Sequence, residues 1–364
     1  MTLKEKISSL IFAGFKGGDF SGIQRLIAKY PVGGVIFFKR NIRAPKELKE
    51  LIEKIKKFSY EKWGKIPFIA VDQEGGRVSR LESPFSILPS NAEIGKHKSK
   101  ELAYLKSRLI GLELYAVGFN LDFYPVLDLH TNPKNRVIGD RAFGSDPMLV
   151  SMLGEESVKG LHSAGILAVG KHFPGHGDTT EDSHMELPVI SRPLEELLKR
   201  EIIPFERAIE AGVDAIMPAH IVNKEIDDNL IPATFSNKIL SGLLRKQLSF
   251  RGIIISDDLE MKAISDNYSI YDSVVFSVKA GVDMLLICHS FEKQLEAIES
   301  LEKAVKNGEL EESRIDASLK RIEKIKEKEA KFPKPQFPDA DIEEILNMPE
   351  FDSIRQRIAT LLES

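Results

Sequence analysis

Eight short apolar segments, each followed by a stretch with helical periodicity, place the strongest limit on how this chain can fold. The segments are Ser9–Phe15, Val32–Phe38, Ile66–Asp72, Leu121–Asp128, Ile166–His172, Asp214–His220, Gly252–Asp257 and Asp283–Cys288. Strands that alternate with helices form parallel β-α-β units. Eight such units within about 300 residues predict an α/β fold of the (β/α)8 TIM-barrel type.

An open, doubly wound α/β sheet is the main alternative, and it requires a glycine-rich phosphate loop after the first strand. The segment Phe15-Lys16-Gly17-Gly18 lacks the G-x-G-x-x-G spacing of such a loop. The polar ends of the later strands favour the barrel, because the catalytic groups of a barrel collect where the carboxyl ends of its strands meet. These ends carry Asp72, Asp128, Lys171 with His172, His220, Asp257, and Cys288 with His289.

The end of the chain predicts a small appendage rather than a second domain. A charged amphipathic helix is expected over Glu309–Ala330, and the proline-rich segment Phe332–Pro338 breaks it. Helical periodicity returns over residues 339–364. We therefore assign residues 1–330 to the barrel and residues 331–364 to a linker with a helical appendage that packs on the barrel.

The charge balance argues against nucleic acid as a partner. The chain has 51 basic and 55 acidic side chains, interspersed along 364 residues, so no basic surface is expected. The single cysteine, Cys288, excludes an intramolecular disulfide and fits a reducing compartment. No apolar run has the length of a membrane span, and the patch Leu10–Ala13 is too short for a secretory signal. We expect a cytoplasmic monomer that binds neither membrane nor nucleic acid.

The densest cluster of chemically active side chains lies in Lys171–His184. This segment contains three histidines, one lysine, three acidic groups and two glycines. Lys171 and His172 end a predicted strand, and the residues after them are predicted as a loop. A strand that delivers cationic and imidazole groups into a glycine-containing loop is a common way to build an active site. The chain is therefore predicted to be an enzyme.

A pair of carboxylates follows the seventh strand. The apolar run that begins at Gly252 ends in Ser256-Asp257-Asp258. Each aspartate either faces the mouth of the barrel or caps the next helix, which is a frequent role of aspartate. Because side chains alternate along a strand, the two carboxylates cannot both point the same way. We expect one of them to face the pocket and the other to support it.

Asp182 and His184 lie two residues apart in the loop after the fifth strand. A carboxylate that binds one imidazole nitrogen fixes the tautomer of the histidine and raises its pKa. Such a histidine can donate a proton to a leaving group and later take one from water. A solvated loop histidine is one alternative. Another is a zinc site formed by His172, His176, Asp182 and His184.

Two further loops carry groups that could bind a ligand. Asp72–Arg80 combines two adjacent glycines with acidic side chains and two arginines. This set suits a polyhydroxyl ligand, and it equally suits a turn with internal ion pairs. Ile138–Gly144 is a similar polar loop after the fourth strand. His220 ends the sixth strand, where we expect a hydrogen-bonded structural histidine.

In combination these motifs resemble glycoside hydrolase family 3, and within it the bacterial β-N-acetylglucosaminidases. The resemblance extends over roughly Ser9–Lys324. Its most specific part is Lys171–His184 with Leu187-Pro188, which is similar to the K-H-F-P-G-H-G…D-S-H…P loop of that subgroup. Four further segments match in order, namely Asp72–Arg80, Ile138–Phe143, Met217–His220 and Leu243–Leu259.

The resemblance implies a role for each site residue. Asp257 corresponds to the nucleophile, and His184, oriented by Asp182, corresponds to the general acid/base. The positions that hold the N-acetylglucosamine ring are Asp72, Arg80, Arg141, Lys171 and His172. His176 is expected to shape the loop. Glu260 departs from the family, which usually has a small residue there, but it lies one helical turn beyond the nucleophile.

The activity implied by the resemblance is retaining hydrolysis of β-linked N-acetylglucosamine through a glycosyl-enzyme intermediate. The expected substrates are muropeptides from peptidoglycan recycling, so the partner is a small carbohydrate. The reaction needs no metal and no organic cofactor. Phosphorolysis at the same site, a zinc hydrolase and a sugar-binding barrel without turnover are the alternatives that the sequence leaves open.

Overall fold

The fold is a barrel of eight parallel strands, seen in a computed structural model that describes residues 1–179 and 187–364. The barrel strands are Ile11–Ala13, Gly34–Phe37, Phe68–Val71, Leu121–Asp122, Leu167–Phe173, Ala215–Pro218, Ile253–Ile254 and Leu285–Ile287. From the first strand to the seventh, each strand pairs in parallel with the next, and the eighth pairs with the first. Ile255 and Met284 form a further parallel bridge between the seventh and eighth strands, so the sheet curls round on itself. The predicted (β/α)8 barrel is confirmed.

Helices form the layer outside the strands. The longer ones are Ser21–Lys29, Pro45–Trp63, Lys100–Val117, Pro147–Ser163, Ile203–Glu210, Ile270–Ala280, Phe291–Lys306 and Glu312–Glu329. The remaining helical segments before residue 331 are Leu3–Ser8, Lys39–Asn41, Asn91–His97, Gly139–Arg141, Leu194–Leu198, Ala233–Phe235, Lys238–Gln247 and Lys262–Ser265. Side-chain caps such as Ser99 and Asp146 satisfy free N–H groups at the helix starts. Within the described ranges, none of the helices has both the length and the apolar character needed to cross a bilayer.

One predicted helix is interrupted. The amphipathic stretch Leu194–Ala211 forms two helices, Leu194–Leu198 and Ile203–Glu210. Pro204 accounts for the break, because proline has no N–H group and its ring excludes the carbonyl oxygen one turn earlier. The short parallel pair of Val189–Ile190 with Val222–Asn223 has no counterpart in the sequence prediction.

The fourth strand is much shorter than predicted. The sequence predicts a strand over Leu121–Asp128, but regular pairing covers only Leu121–Asp122. Pro125 lies within the predicted stretch and cannot donate to a neighbouring strand. Beyond it the chain still runs beside the fifth strand, because the N–H of Leu127 donates to the carbonyl of Lys171 at 2.7 Å. Asp128 is thereby held next to the carboxyl end of the fifth strand.

Two buried carboxylates form the floor of the barrel, by which we mean its amino-terminal end. Asp283 precedes the eighth strand and Asp214 precedes the sixth, and both are fully buried. Their cationic partners are Arg245, Arg314 and Arg321 around Asp283, and Lys328 around Asp214, which also contacts the ring of His162. Three of these cations belong to the helix Glu312–Glu329. This helix is therefore attached to the floor by buried charge pairs as well as by apolar packing.

Residues 331–364 contain two more helices, Ile342–Leu346 and Pro349–Glu363, which pack against Lys100–Val117. A buried polar contact joins them to the barrel. Glu113 accepts hydrogen bonds from Arg355 Nη2 at 3.2 Å and from the Ser86 hydroxyl at 2.5 Å. Burial raises the pKa of Glu113 above its ordinary value, although Ser86 and Arg355 act in the opposite direction. The C-terminal helix thus contacts the loop that follows the third strand.

Replacing Arg355 by leucine should lower the free energy of unfolding by about 1–3 kcal/mol, because Glu113 loses a charged partner while it remains buried. Urea unfolding followed by circular dichroism measures the change. Arg357→Leu on the same helix is the matched control, since its ion pair with Glu101 is exposed and its loss should leave stability nearly unchanged. Equal losses in the two variants would contradict a special role for the buried contact.

Candidate active site

A cavity of about 480 Å³ opens at the carboxyl ends of the barrel strands. Its volume is in the range of small-molecule sites, which is about 300–1,000 Å³. Six of the eight predicted site residues line it, namely Asp72, Arg80, Arg141, Lys171, His172 and Asp257. The other two, Asp182 and His184, lie outside the described residues.

Lys171 joins the fifth strand to the loop after the third strand through buried ion pairs. Its Nζ atom lies 2.8 Å from Oδ1 of Asp72 and 2.7 Å from Oε1 of Glu74. Only 2% of the lysine side chain is exposed. Burial disfavours the ammonium form, but the two carboxylates outweigh it and raise the pKa of Lys171 above its ordinary value. The lysine is therefore a permanent cation at the base of the cavity.

Glu74 binds a second cation, which comes from the loop after the fourth strand. Arg141 donates from Nε to Oε2 at 2.9 Å and from Nη2 to Oε1 at 2.8 Å, in a two-pronged pair. Burial opposes ionisation of Glu74, yet Arg141 and Lys171 hold its pKa well below the ordinary range. Glu74 is thus a buried anion shared by two cations, and it fixes the positions of both.

Arg80 adds an open donor to this cluster. Its Nη2 atom lies 3.7 Å from Oδ2 of Asp72, at the outer edge of an ion pair. Its Nε atom is buried and has no hydrogen-bond partner in the part of the chain that the structure describes. A buried donor without a partner is costly in an isolated protein. This donor marks Arg80 as a position where a ligand oxygen would be bound.

His172 is held by the buried carboxylate of Asp128. Its Nδ1 atom lies 2.7 Å from Oδ2 of Asp128, which also accepts from the main-chain N–H of His172. The pairing with the sixth strand shifts by one residue between Lys171 and Phe173. Such an irregularity changes the direction of neighbouring side chains, and both Lys171 and His172 line the cavity. With the proton on Nδ1, the Nε2 atom of His172 remains for a ligand.

The loop after the fifth strand is anchored by its first residues. The main-chain N–H of His176 donates to Oδ1 of Asp128 at 2.7 Å. Burial, together with the neighbouring His172, lowers the pKa of His176 to about 4, so this imidazole is neutral at pH 7. Gly177 is required here, because a Cβ atom at this position would lie 1.7 Å from the carbonyl oxygen of Leu129. These contacts support the predicted role of His176 in shaping the loop.

Asp257 presents a carboxylate at the end of the seventh strand. Its Oδ1 atom accepts from the main-chain N–H of Asp258 at 2.7 Å. Burial disfavours ionisation, but His220, His172 and this N–H lower the pKa of Asp257 below its ordinary value. Among the described residues no cationic side chain forms an ion pair with it. Asp257 is therefore an ionised carboxylate whose charge is free to act on a ligand.

Asp258 also lines the cavity, so both aspartates border it, where the sequence predicted that only one would face the pocket. Its carboxylate accepts from the main-chain N–H of Cys288 at 3.2 Å and lies 3.1 Å from Nε2 of His289. The ring of His220 lies with Nε2 3.1 Å from the Asp258 carbonyl and Nδ1 2.8 Å from the Thr234 hydroxyl. His220 is thus a hydrogen-bonded structural histidine that holds the main chain beside Asp257.

Comparison with known proteins identifies the family to which this site belongs. The model of the glycosyl hydrolase family 3 N-terminal domain matches residues 2–325. The chain belongs to glycoside hydrolase family 3. This family 3 hydrolase is 42% identical over 264 residues to a β-hexosaminidase of Hydrogenovibrio crunogenus, a match that covers 71% of the chain and 72% of the relative.

Solved structures show the same relationship for the family 3 hydrolase. A family 3 β-N-acetylglucosaminidase from Paenibacillus sp. str. FPU-7 has a TM-score of 0.93 and 39% identity, covering 99% of this chain and 69% of the other. NagZ from Neisseria gonorrhoeae, in complex with N-trifluoroacetyl-D-glucosamine, has a TM-score of 0.78 and 29% identity, with 98% of each chain covered. The predicted resemblance to the β-N-acetylglucosaminidases of the family is confirmed.

Two residues of the family 3 site have no assigned role in the sequence prediction. Glu74 lies within the predicted loop Asp72–Arg80, and its position two residues after Asp72 is a signal that both carboxylates face one side. Asp128 stands out only as the polar end of a predicted strand. Each becomes functional through a partner distant in sequence, since Asp128 binds His172 and Glu74 binds Lys171.

The zinc site weighed from the sequence requires four residues, of which Asp182 and His184 fall outside the described ranges. Within residues 1–179 and 187–364, no group of three or more histidine, cysteine or acidic side chains is arranged to hold a metal ion. His172, one of the four, already has Nδ1 bound to Asp128. The zinc alternative therefore stays an untested prediction.

Replacing Glu74 by glutamine should destabilise the protein by about 3 kcal/mol at neutral pH, because two buried cations lose their shared anion. The folded-state pKa of Glu74 is lowered, so its stabilising contribution is present above the ordinary value near 4.5 and is lost as the pH falls below it. The difference in the free energy of unfolding between the natural chain and Glu74→Gln should therefore become smaller as the pH is lowered.

Denaturant unfolding at a series of pH values from about 7 to about 3.5 measures this difference. Glu61→Gln serves as the control, because Glu61 is exposed on the outer helix Pro45–Trp63. If the difference in the free energy of unfolding between the natural chain and Glu74→Gln stays constant over this range, Glu74 is not held as an anion.

Proposed function

We propose that this hydrolase is a retaining exo-β-N-acetylglucosaminidase, which removes terminal N-acetylglucosamine from β-linked glycosides. One observation carries the proposal. The ionised carboxylate of Asp257 shares a small cavity with a cluster of buried donors and acceptors that suits the hydroxyl groups of a sugar. The β-hexosaminidase relative and the NagZ complex with an N-acetylglucosamine analogue support the same class of sugar.

In this proposal the sugar ring is held by groups that are already fixed in place. One carboxylate oxygen of Asp72 contacts Lys171 and the other faces Arg80. The buried Nε atom of Arg80 has no hydrogen-bond partner among the described residues. Together they offer a donor and an acceptor to adjacent hydroxyls. Arg141 and His172 complete the set, each oriented by its own buried carboxylate. Groups that are oriented before binding lose little entropy when the ligand arrives.

The first chemical step follows from the position of Asp257. One carboxylate oxygen attacks the anomeric carbon and forms a glycosyl ester, while the bond to the leaving oxygen breaks. His184, protonated and oriented by Asp182, gives its proton to that oxygen. The lowered pKa of Asp257 keeps the nucleophile ionised at neutral pH.

The second step uses the same residues in reverse. His184, now neutral, takes a proton from water, and the resulting hydroxide attacks the anomeric carbon. The ester bond to Asp257 breaks, and the sugar leaves with its original β configuration. A histidine suits both steps because its unperturbed pKa is about 6.5, so modest tuning by Asp182 allows it to donate and to accept near neutrality.

We also propose a cellular substrate and place. The resemblance to the bacterial β-N-acetylglucosaminidases supports removal of N-acetylglucosamine from N-acetylglucosaminyl-anhydro-muropeptides during peptidoglycan recycling in the cytoplasm. Phosphorolysis is the second candidate, with inorganic phosphate replacing water in the second step. Arg77 and Arg136 line the cavity and are cationic groups that an anionic acceptor would meet.

Asp257→Ala should lower kcat for p-nitrophenyl N-acetyl-β-glucosaminide by about 10⁴-fold or more, because the carboxylate proposed to form the ester is removed. The assay is run beside the β-glucoside and with EDTA present, so it also tests the sugar specificity and the zinc alternative. Asp266→Ala is the control, since Asp266 is exposed beyond the site. Near-normal activity of a folded Asp257→Ala protein would place the nucleophile elsewhere.

His184→Ala should slow substrates with poor leaving groups far more than activated aryl glycosides, because a good leaving group needs little protonation. A series of aryl N-acetyl-β-glucosaminides with increasing leaving-group pKa measures this as a steeper dependence of kcat/KM in the variant. The same loss across the whole series would argue against the acid role. Product analysis with and without phosphate separates hydrolysis from phosphorolysis, since only the latter yields a sugar phosphate.

A further inference from the structure

We infer that Lys106 is a positioning residue for Arg141 and Glu74 in the proposed sugar site. It acts on Arg141 through Asn91, and it packs directly against the turn at Gly75. This inference rests on the proposed function, because it assigns a role in holding the same sugar. Lys106 lies in the helix Lys100–Val117, on the outer side of the cavity wall, and its side chain is fully buried. Lysine is almost never fully buried without a partner, so the partner shows what the side chain does.

The partner of Lys106 is a side-chain amide that leads directly to Arg141. Nζ of Lys106 donates to Oδ1 of Asn91 at 2.6 Å, and the Tyr124 hydroxyl donates to the same oxygen at 2.9 Å. The other end of the amide donates from Nδ2 to the main-chain carbonyl of Arg141 at 2.6 Å. Because both ends of the amide are engaged, Asn91 cannot rotate without losing hydrogen bonds. Arg141 is therefore fixed by its backbone as well as by its side chain.

Lys106 also packs against the loop after the third strand. Gly75 has a φ of +84°, and a Cβ atom there would lie 2.9 Å from Cε of Lys106 and 2.6 Å from the Pro89 carbonyl. The lysine stem thus occupies the space that any other residue at Gly75 would need. Since Gly75 follows Glu74 directly, the stem limits where the Glu74 carboxylate can lie. One side chain therefore supports both members of the Glu74–Arg141 ion pair.

The amine of Lys106 distinguishes this side chain from an ordinary apolar core residue. Burial lowers its pKa to about 7, although Glu74 and Asp122 favour the cation. Its Nζ atom lies 5.4 Å from the centre of the Tyr124 ring, which adds a weak attraction. An apolar side chain of similar volume would fill this space, and such a side chain often stabilises a protein as much as a buried polar one does. The hydrogen bond to Asn91 is the feature that an apolar side chain lacks.

The experiment compares Lys106→Met with Lys106→Gln and with Leu114→Ala. Methionine keeps the volume of the stem and removes the donor, whereas glutamine keeps an N–H donor. Leu114→Ala is the control for loss of stability, because Leu114 is fully buried in the same helix about two turns beyond Lys106 and does not line the cavity. Steady-state kinetics with p-nitrophenyl N-acetyl-β-glucosaminide and thermal unfolding are measured for each variant.

We expect Lys106→Met to raise KM about tenfold while kcat changes about threefold or less, since the loss of one hydrogen bond corresponds to a factor of this order. Lys106→Gln should recover part of the loss. Leu114→Ala should leave KM at the natural value even where it lowers Tm. Asn91→Leu should raise KM to a similar extent, and combining it with Lys106→Met should add little, because the two residues act in one relay.

A lower Tm for Lys106→Met with an unchanged KM would overturn the inference, and so would full additivity with Asn91→Leu. Failure of the proposed function is seen separately, as a natural chain that does not hydrolyse the glycoside. In that case a crystal structure of the Lys106→Met variant tests the inference. The inference requires that at least one of the two hydrogen bonds between Arg141 and Glu74 is lost in this variant. If that ion pair is unchanged, Lys106 does not position it.

Discussion

The neutralisation of one buried ammonium group controls the layout of this active site. Lys171 ends the fifth strand with almost no exposure, and a buried cation is tolerated only with anionic partners close by. Asp72 and Glu74 provide that charge from the loop after the third strand, and Arg141 from the fourth balances Glu74 in turn. Two loops and the end of the fifth strand are therefore held together by ion pairs as well as by packing.

In the proposed mechanism, the same charge pairing separates the groups that bind the sugar from the carboxylate that reacts with it. In the binding cluster, formed by Asp72, Glu74, Arg80, Arg141 and Lys171, each cation has an anion beside it. The positive and negative charges therefore largely cancel within the cluster. Asp257 stands apart, hydrogen-bonded to a main-chain N–H and flanked by His172 and His220. Its negative charge is thus available to a positive charge that develops on the sugar, which is where electrostatic stabilisation of a transition state is most effective.

The sequence predicted the barrel well, because each buried strand is an apolar run and the later runs end in polar residues. It predicted less well wherever proline alters a regular pattern, as at Pro204 and in the shortened strand containing Pro125. Six of the eight predicted site residues line one cavity, because dense motifs carry them. Glu74 and Asp128 were not singled out from the sequence because their contacts are with partners far away in the chain. Asp128 and His172, for example, are 44 residues apart.

The buried charges of the floor and those of the mouth lie at opposite ends of the same strands. Asp214 and Asp283 hold the helix Glu312–Glu329 at one end, while Asp72 and Glu74 organise ligand contacts at the other. The charges that stabilise the floor are therefore separate from those that line the proposed sugar site. If that proposal holds, substitutions at the floor could change resistance to heat without altering which glycoside is cleaved.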